Sequence, residues 1–485
     1  MMKLTKSLGY LTLYCLVLFS IVPLLRLSLP MDTQEAIVWG KYCLWGTTKH
    51  PPFSGWLAYD FYKLLGSWDG AMYILSQLCV VCGIFCVYKS ARFFFDENKA
   101  AIAAMLQFGI IYYHFSAVEY NVNVLLIALW PMCTCYFWRA YNENKLKDWI
   151  FFGFLAGICL LGKYVSSLLL VSLAVFVFAD KGVWRLMKNH KVYLAAAVAV
   201  LVFAPHLWWM YENDFETLNY FASRSGKDSL AFWGHLIYPL KFLAAQALFA
   251  AAMILTYSGF YHFAEKEKRV ENRRQTLFIA IMALAPVCLF ALTSLISGNA
   301  LKSMWGFPCL FMWGIALVYF WPLKISTSLQ KKLPKVMAGW ITLFALVYAV
   351  QCLLTTSPRF TTDVKSFASV MEQKWQEHSR KPLEYVASDV WYADMLALYA
   401  SHEIKPMIWM KTESNPWFSA DDFHKKGALV IANDVGEYNL YAQMYGDNLT
   451  EPEKITVEFK NYFGKTKTKE VLYGFYLPKE KKNAE

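Results

Sequence analysis

From its start to about residue 354 the chain alternates long apolar runs with short charged connections, and beyond that point its character changes. Eleven apolar blocks stand out, at 8–28, 71–90, 100–117, 122–138, 149–162, 164–179, 191–210, 233–261, 275–297, 304–322 and 336–354. A hydrocarbon core takes roughly 20 helical residues to cross, so this pattern predicts an all-α polytopic membrane domain of about eleven transmembrane helices. After residue 355, short apolar runs (Leu383–Ala387, Met407–Trp409, Ala428–Ala432) alternate with helix-like stretches (Val390–Ser401, Ala420–Lys426, Tyr438–Tyr445). Two alternating segments near 454–460 and 468–477 follow. That order predicts a small α/β domain. The expected organisation is a transmembrane domain over 1–354, with a first external loop at 29–70, and an extracytoplasmic domain over 355–485. No internal repeat is visible, which counts against an inverted-repeat transporter.

Charge orients these blocks. Lys3 and Lys6, and the connections holding Lys89, Arg92 and Lys99, Arg139, Lys145 and Lys147, Lys181, Arg185 and Lys188, Lys266 to Arg274, and Lys324 to Lys335, define one strongly basic side. The positive-inside rule assigns that side to the cytoplasm. An odd number of spans then carries an internal amino terminus to an external tail. The first apolar stretch, Leu8–Leu25, has no small-residue cleavage site after it and reads as an uncleaved helix.

Composition narrows the class further. With 57% hydrophobic and only 17% charged residues, the chain cannot build an ordinary water-soluble surface. The net charge of +11 sits in short connections and in the tail, without an aromatic-interleaved basic surface, so nucleic acid is not an expected partner. Of eleven cysteines, ten fall in apolar segments and Cys43 in an external loop. Cys79, Cys82 and Cys86, at helical spacing in one apolar block, read as packing rather than as a metal site, and no metal ligands are assigned.

The candidate chemistry lies on the external side. Asp32 and Glu35 follow the first span and share one face if a helix begins there. They also read as a capping box, with Asp32 as N-cap. Their loop holds Trp39, Tyr42, Trp45, Trp56 and Tyr59 together with the rigid His50-Pro51-Pro52 turn, and this setting favours a site. Lys49, Lys163, Arg224, Lys227 and Lys302 break the charge rule by standing on the external side. Snorkelling explains any one of them; taken together they suit a phosphate group held at the outer membrane face. His206 closes the seventh span, as an anchor or as a site residue. Asn121 and Asn123 open the fourth, as caps or as cavity-lining amides.

These motifs, in order, resemble a known group. Asp32-Thr-Gln-Glu35-Ala, Lys49-His50-Pro51-Pro52-Phe-Ser-Gly-Trp56, Asn121-Val-Asn123 through Trp130, Gly162-Lys163-Tyr164 and Ala204-Pro205-His206-Leu-Trp208 are similar to the bacterial protein O-mannosyltransferase-like and lipid A aminoarabinose transferase-like enzymes of the GT-C superfamily. The resemblance implies a GT-C fold and a bacterial inner-membrane glycosyltransferase. Such an enzyme moves a hexosyl or pentosyl unit from a polyprenyl (undecaprenyl) phosphate carrier to lipid A or lipopolysaccharide, another envelope glycan or a protein, on the periplasmic face. The lipid-linked sugar is a substrate, and no cofactor is implied. The essential carboxylate maps onto Asp32, with Glu35 beside it. Lys49, His50, Asn123, Lys163, Tyr164, His206, Arg224 and Lys302 are the expected substrate-binding residues. Two departures stand out: relatives commonly have adjacent acids where Thr33 and Gln34 intervene here, and some have Asp where Asn123 stands. The alternative reading is a transporter or flippase of lipid-linked sugars.

Overall fold

The structure is a computed structural model that describes residues 3–224, 231–269, 271–408, 415 and 417–477. In chain order its helices are α1 (Leu4–Ile21), α2 (Met31–Lys41), α3 (Phe53–Leu64), α4 (Gly70–Ala91), α5 (Glu97–Met105), α6 (Val122–Glu143), α7 (Leu146–Gly162), α8 (Ser166–Ala179), α9 (Val183–Met187), α10 (His190–Glu212) and α11 (Glu216–Arg224). There follow α12 (Gly234–Phe249), α13 (Ala251–Phe263), α14 (Arg273–Ser297), α15 (Trp313–Phe320), α16 (Thr327–Leu354), α17 (Pro358–Thr361), α18 (Val364–His378), α19 (Val390–Tyr399), α20 (Ala420–Lys426) and α21 (Val435–Tyr445). The residues divide into two compact units: 1–23, 49–54 and 70–348 form the first, and 24–48, 55–69 and 349–485 the second.

The first unit is the membrane part, and the chain is a multi-pass membrane protein. Every predicted apolar block is helical, but the blocks are not eleven equal spans. Among the described residues six helices are long and apolar enough to cross alone: Leu4–Leu25, α4, α6, α10, α14 and α16. Three more are bent pairs, broken by 90° between Glu97–Gly109 and Ile111–Val118, by 58° between α12 and α13, and by 54° between Ser303–Leu310 and α15. The first break falls where Gly109 lies against the Met253 backbone, too close for any Cβ. Beyond it Tyr112 turns its hydroxyl to Gln246 and the Ser303 carbonyl. In the third, Pro308 lies within a 3₁₀ segment, where it removes a backbone donor. The two remaining blocks, the fifth and sixth in chain order, are α7 and α8, 17 and 14 residues long and shorter than an ordinary span.

The second unit joins the tail to residues that precede it by some 300 positions. Its sheet has the order β2-β1-β3-β5-β4, built from β1 (Tyr385–Ser388), β2 (Lys405–Ile408), β3 (Ala428–Ala432), β4 (Glu453–Lys460) and β5 (Thr466–Tyr476). β2, β1 and β3 are parallel, with α19 and α20 in the connections, and β5 and β4 add antiparallel. The strands fall where the apolar runs predict them, with Trp409 outside the described residues. An additional helix, α18, covers one face: Val364, Phe367, Ala368, Met371 and Trp375 pack with Val386, Leu429, Val471, Tyr473 and Phe475. That stripe has helical spacing.

Residues 24–48 and 55–69 fold with this tail. Met31, at the start of α2, packs against the α18–sheet core. At the other end of α2, Lys41 Nζ lies 3.0 Å from Glu403 Oε1, and the Tyr42 ring stacks on Trp417 at 4.6 Å. After α3, Tyr399 donates to Asp69 at 3.0 Å, and burial raises the Asp69 carboxyl above its ordinary range. Gly40 and Gly55 let α2 and α3 touch backbone to backbone, since a Cβ on Gly40 would fall well inside contact distance of the Gly55 carbonyl. Gly40→Ala should therefore cost about 1–3 kcal/mol by overpacking. Gly9→Ala, where a Cβ meets nothing within 4 Å, should leave thermal unfolding unchanged. Equal melting temperatures for the two variants would contradict this packing.

Candidate functional site

In the membrane unit the site is assembled around Lys163. The apolar part of α7 from Trp149 and the whole of α8 are each 14 residues, a reach of about 21 Å. α7 leaves the basic side and α8 returns to it, and there Asp148 pairs with Arg139 and Asp180 with Arg274, each at 2.9 Å. A hydrocarbon core is about 30 Å thick, so a hairpin this short sets its junction back from the opposite surface. Lys163 is that junction. It is the C-cap of α7, its own N–H bonding the Cys159 carbonyl, and the helix C-terminus favours a cation there.

The ammonium has defined partners. Lys163 Nζ donates to Asn123 Oδ1 at 2.7 Å and lies 6.0 Å from the centre of the Trp305 ring. The two asparagines thereby separate in role. Asn121 is the N-cap of α6, its side chain accepting from the N–H groups of Asn123 and Val124, while Asn123 faces the lysine. His50 belongs to the same group. Burial lowers its pKa well below the ordinary imidazole value, and the positive charges of Lys163 and Lys49 lower it further, so it is neutral at physiological pH. Tyr120 Oη donates to the Ser54 carbonyl at 3.1 Å and fixes the segment after the Pro51-Pro52 turn. The structure thus groups Lys49, His50, Asn123 and Lys163.

Tyr164 and His206 form a second pair. His206 is fully buried on α10, and its Nε2 lies 2.5 Å from Tyr164 Oη. Lys302 is exposed and is the N-cap of the 3₁₀ segment that bears Trp305. Arg224 is the last residue of α11, and its side chain, like all of Lys227, lies outside the described residues. Trp305, not among the site residues expected from sequence, is a partner of the lysine. Its position three residues after Lys302 was the available signal.

In the second unit the carboxylates sit on α2, and the capping reading is corrected. The N-cap is Pro30, and Asp32 lies within the first turn, so it does not cap the helix. Asp32 is half-buried and Glu35 buried, 4% exposed, and their spacing of three gives them one helical face. Among the described residues no group of three or more His, Cys, Asp or Glu side chains is placed to hold a metal ion.

Comparison with known proteins agrees with this architecture. The sequence profile of the family described as dolichyl-phosphate-mannose-protein mannosyltransferase matches residues 49–209, the stretch that holds Lys49, His50, Asn123, Lys163, Tyr164 and His206. Two curated relatives from Rhizobium johnstonii are the lipopolysaccharide core galacturonosyltransferases RgtA, 23% identical over 59% of this chain and 58% of its own length, and RgtB, 22% identical over 59% of each. The chain thus spans about three-fifths of the length of the curated relatives it matches. ArnT from Cupriavidus metallidurans, solved bound to undecaprenyl phosphate, superposes with a TM-score of 0.67 over 97% of this chain and 98% of that one, at 14% identity. The fold is the GT-C fold. Fold and sequence thus agree: the chain shares the fold of ArnT, and its residues 49–209 match the mannosyltransferase profile.

The environment of His50 has a measurable consequence. The folded protein holds it neutral, whereas the unfolded chain takes up a proton below about pH 6.5, so the unfolded state binds more protons. The contribution to stability is present above that pH and is lost as the pH falls through it. His50→Gln should flatten the acid side of a plot of melting temperature against pH; superimposable curves for variant and parent would refute the assignment.

Proposed function

We propose that this protein transfers a sugar from a polyprenyl-phosphate carrier to an envelope glycolipid or glycan. The reaction takes place on the periplasmic side of a bacterial inner membrane, with the amino terminus cytoplasmic and the tail periplasmic. The observation that carries the reading is the Lys163 ammonium, held by an amide at a helix junction beside a neutral histidine, inside the segment that matches the dolichyl-phosphate-mannose-protein mannosyltransferase profile. The relatives are transferases and lend no support to a flippase.

The chemistry follows from the residue types. An acceptor hydroxyl attacks the anomeric carbon, the bond from that carbon to the carrier phosphate oxygen breaks, and the phosphate leaves with the electron pair. Negative charge gathers on its oxygens in the transition state, where fixed cations are most effective. Lys163 and Lys49 supply that charge, with Arg224 and Lys302 as further cations. Neutral His50 leaves the local positive charge on the lysines and offers a hydrogen bond of its own. Tyr164, held by the buried His206, faces the donor side. Asp32 accepts the acceptor proton, and Glu35 on the same helical face supports it. One displacement with one base inverts the anomeric centre.

Asp32→Asn should lower transfer by about 10²–10⁴-fold, the usual worth of a general base. The protein should still insert and bind carrier. Mass spectrometry of envelope lipids and glycans from cells with the parent or the variant reads the result and, through the lost mass, names sugar and acceptor. Parent-level product from the variant would remove Asp32 from the mechanism.

A further inference from the structure

The β4–β5 hairpin breaks its own pattern. In β5, alternate residues 471, 473 and 475 are the buried Val471, Tyr473 and Phe475 of the tail core. Continuing the same face toward the hairpin gives Lys469 and Lys467, where the alternation calls for apolar side chains. Their cross-strand partners are Val457 and the buried Phe459. The two lysines line a cavity of about 370 Å³ with Thr355, Thr356 and Ser357, and no carboxylate is among its lining residues. Lys469 is half-buried, its Nζ held at 2.6 Å by Asn433 Oδ1.

The cavity has a membrane-side address. Thr355 directly follows α16, which is long and apolar enough to span. At the hairpin turn, Asn461 Nδ2 donates to the Leu354 carbonyl at 2.9 Å and ties the turn to the end of that helix. The next two residues, Tyr462 and Phe463, are 55% and 73% exposed. Exposed aromatic rings beside lysines, tethered to the end of a span, are the composition of a headgroup-level contact.

We propose that this cavity binds the phosphate of an anionic lipid headgroup at the outer surface of the membrane. The lysines supply charge, the Thr and Ser hydroxyls donate hydrogen bonds, and the Tyr462–Phe463 turn enters the headgroup layer. The site is separate from the Lys163 group and does not depend on the transfer reaction.

The test uses the full-length protein, purified in neutral detergent and delipidated, with bound lipid counted by native mass spectrometry. Phosphatidylglycerol should be retained over phosphatidylcholine by the parent, and K467Q/K469Q should reduce that retention at least five-fold. Because Lys469 also holds Asn433, the single K467Q variant is measured beside it and should reduce retention at least two-fold. Melting temperatures in phosphatidylcholine should match the parent. Equal retention of phosphatidylglycerol by parent and K467Q would overturn the proposal. So would displacement of the lipid by inorganic phosphate at low millimolar concentration, since the site would then serve a free anion. A phosphorylated glucosamine lipid, run as a competitor, separates bulk phospholipid from a glycolipid as the source: displacement by it assigns the site to the glycolipid phosphate, and its failure to displace assigns it to phospholipid. Both results keep the lipid phosphate.

Discussion

A charged ammonium at the junction of two apolar helices shorter than an ordinary span is the constraint from which the membrane unit is best understood. A cation in hydrocarbon is costly, and it persists only where water, a polar partner or an anion meets it. Lys163 is placed there because α7 and α8 are too short to carry their junction to the far surface. Its neighbours then make sense as consequences. Asn123 faces it with an oxygen, Trp305 offers a ring face, and the C-terminus of α7 supplies a favourable dipole. His50, half-buried and close to two positive charges, gives up its own proton. A group so arranged stabilises an anion better than water does, because its dipoles are already oriented when the anion arrives.

The second unit answers a different requirement: a carboxylate must be held on a rigid element. An isolated helix of eleven residues is marginal in water, and α2 has no side-chain cap. It is stable because it is built into the tail, with Met31 against the core, Lys41 on Glu403 and Tyr42 on Trp417. The ion pair is partly exposed and is worth little alone. Burial and stacking hold the helix, and the pair fixes its register. The tail is therefore structural for the first loop, whatever further role it has toward an acceptor.

Much of this was legible in the sequence because its determinants are local. Apolar blocks, lysine asymmetry and the alternating runs of the tail each depend on neighbours within a few residues, and they located the apolar helical segments and all five strands. The stripe of Val364, Phe367, Met371 and Trp375 was equally readable, although it lies before the elements expected for the tail. What could not be read depended on contacts across long sequence separations. The bend after Gly109 is set by Met253, and the seat of α2 by Glu403 and Trp417. The capping pattern at Asp32 misled for a related reason. Pro30 fixes its own backbone and starts the helix two residues earlier, which moves Asp32 off the cap.

The central claim is that Lys163 is the cation a lipid-borne phosphate meets. Its most direct test is the affinity of the purified protein for undecaprenyl phosphate, compared between the parent and Lys163→Ala with no acceptor present. A charge-assisted hydrogen bond lost from a poorly hydrated site predicts at least about tenfold weaker binding. An unchanged dissociation constant would contradict the account.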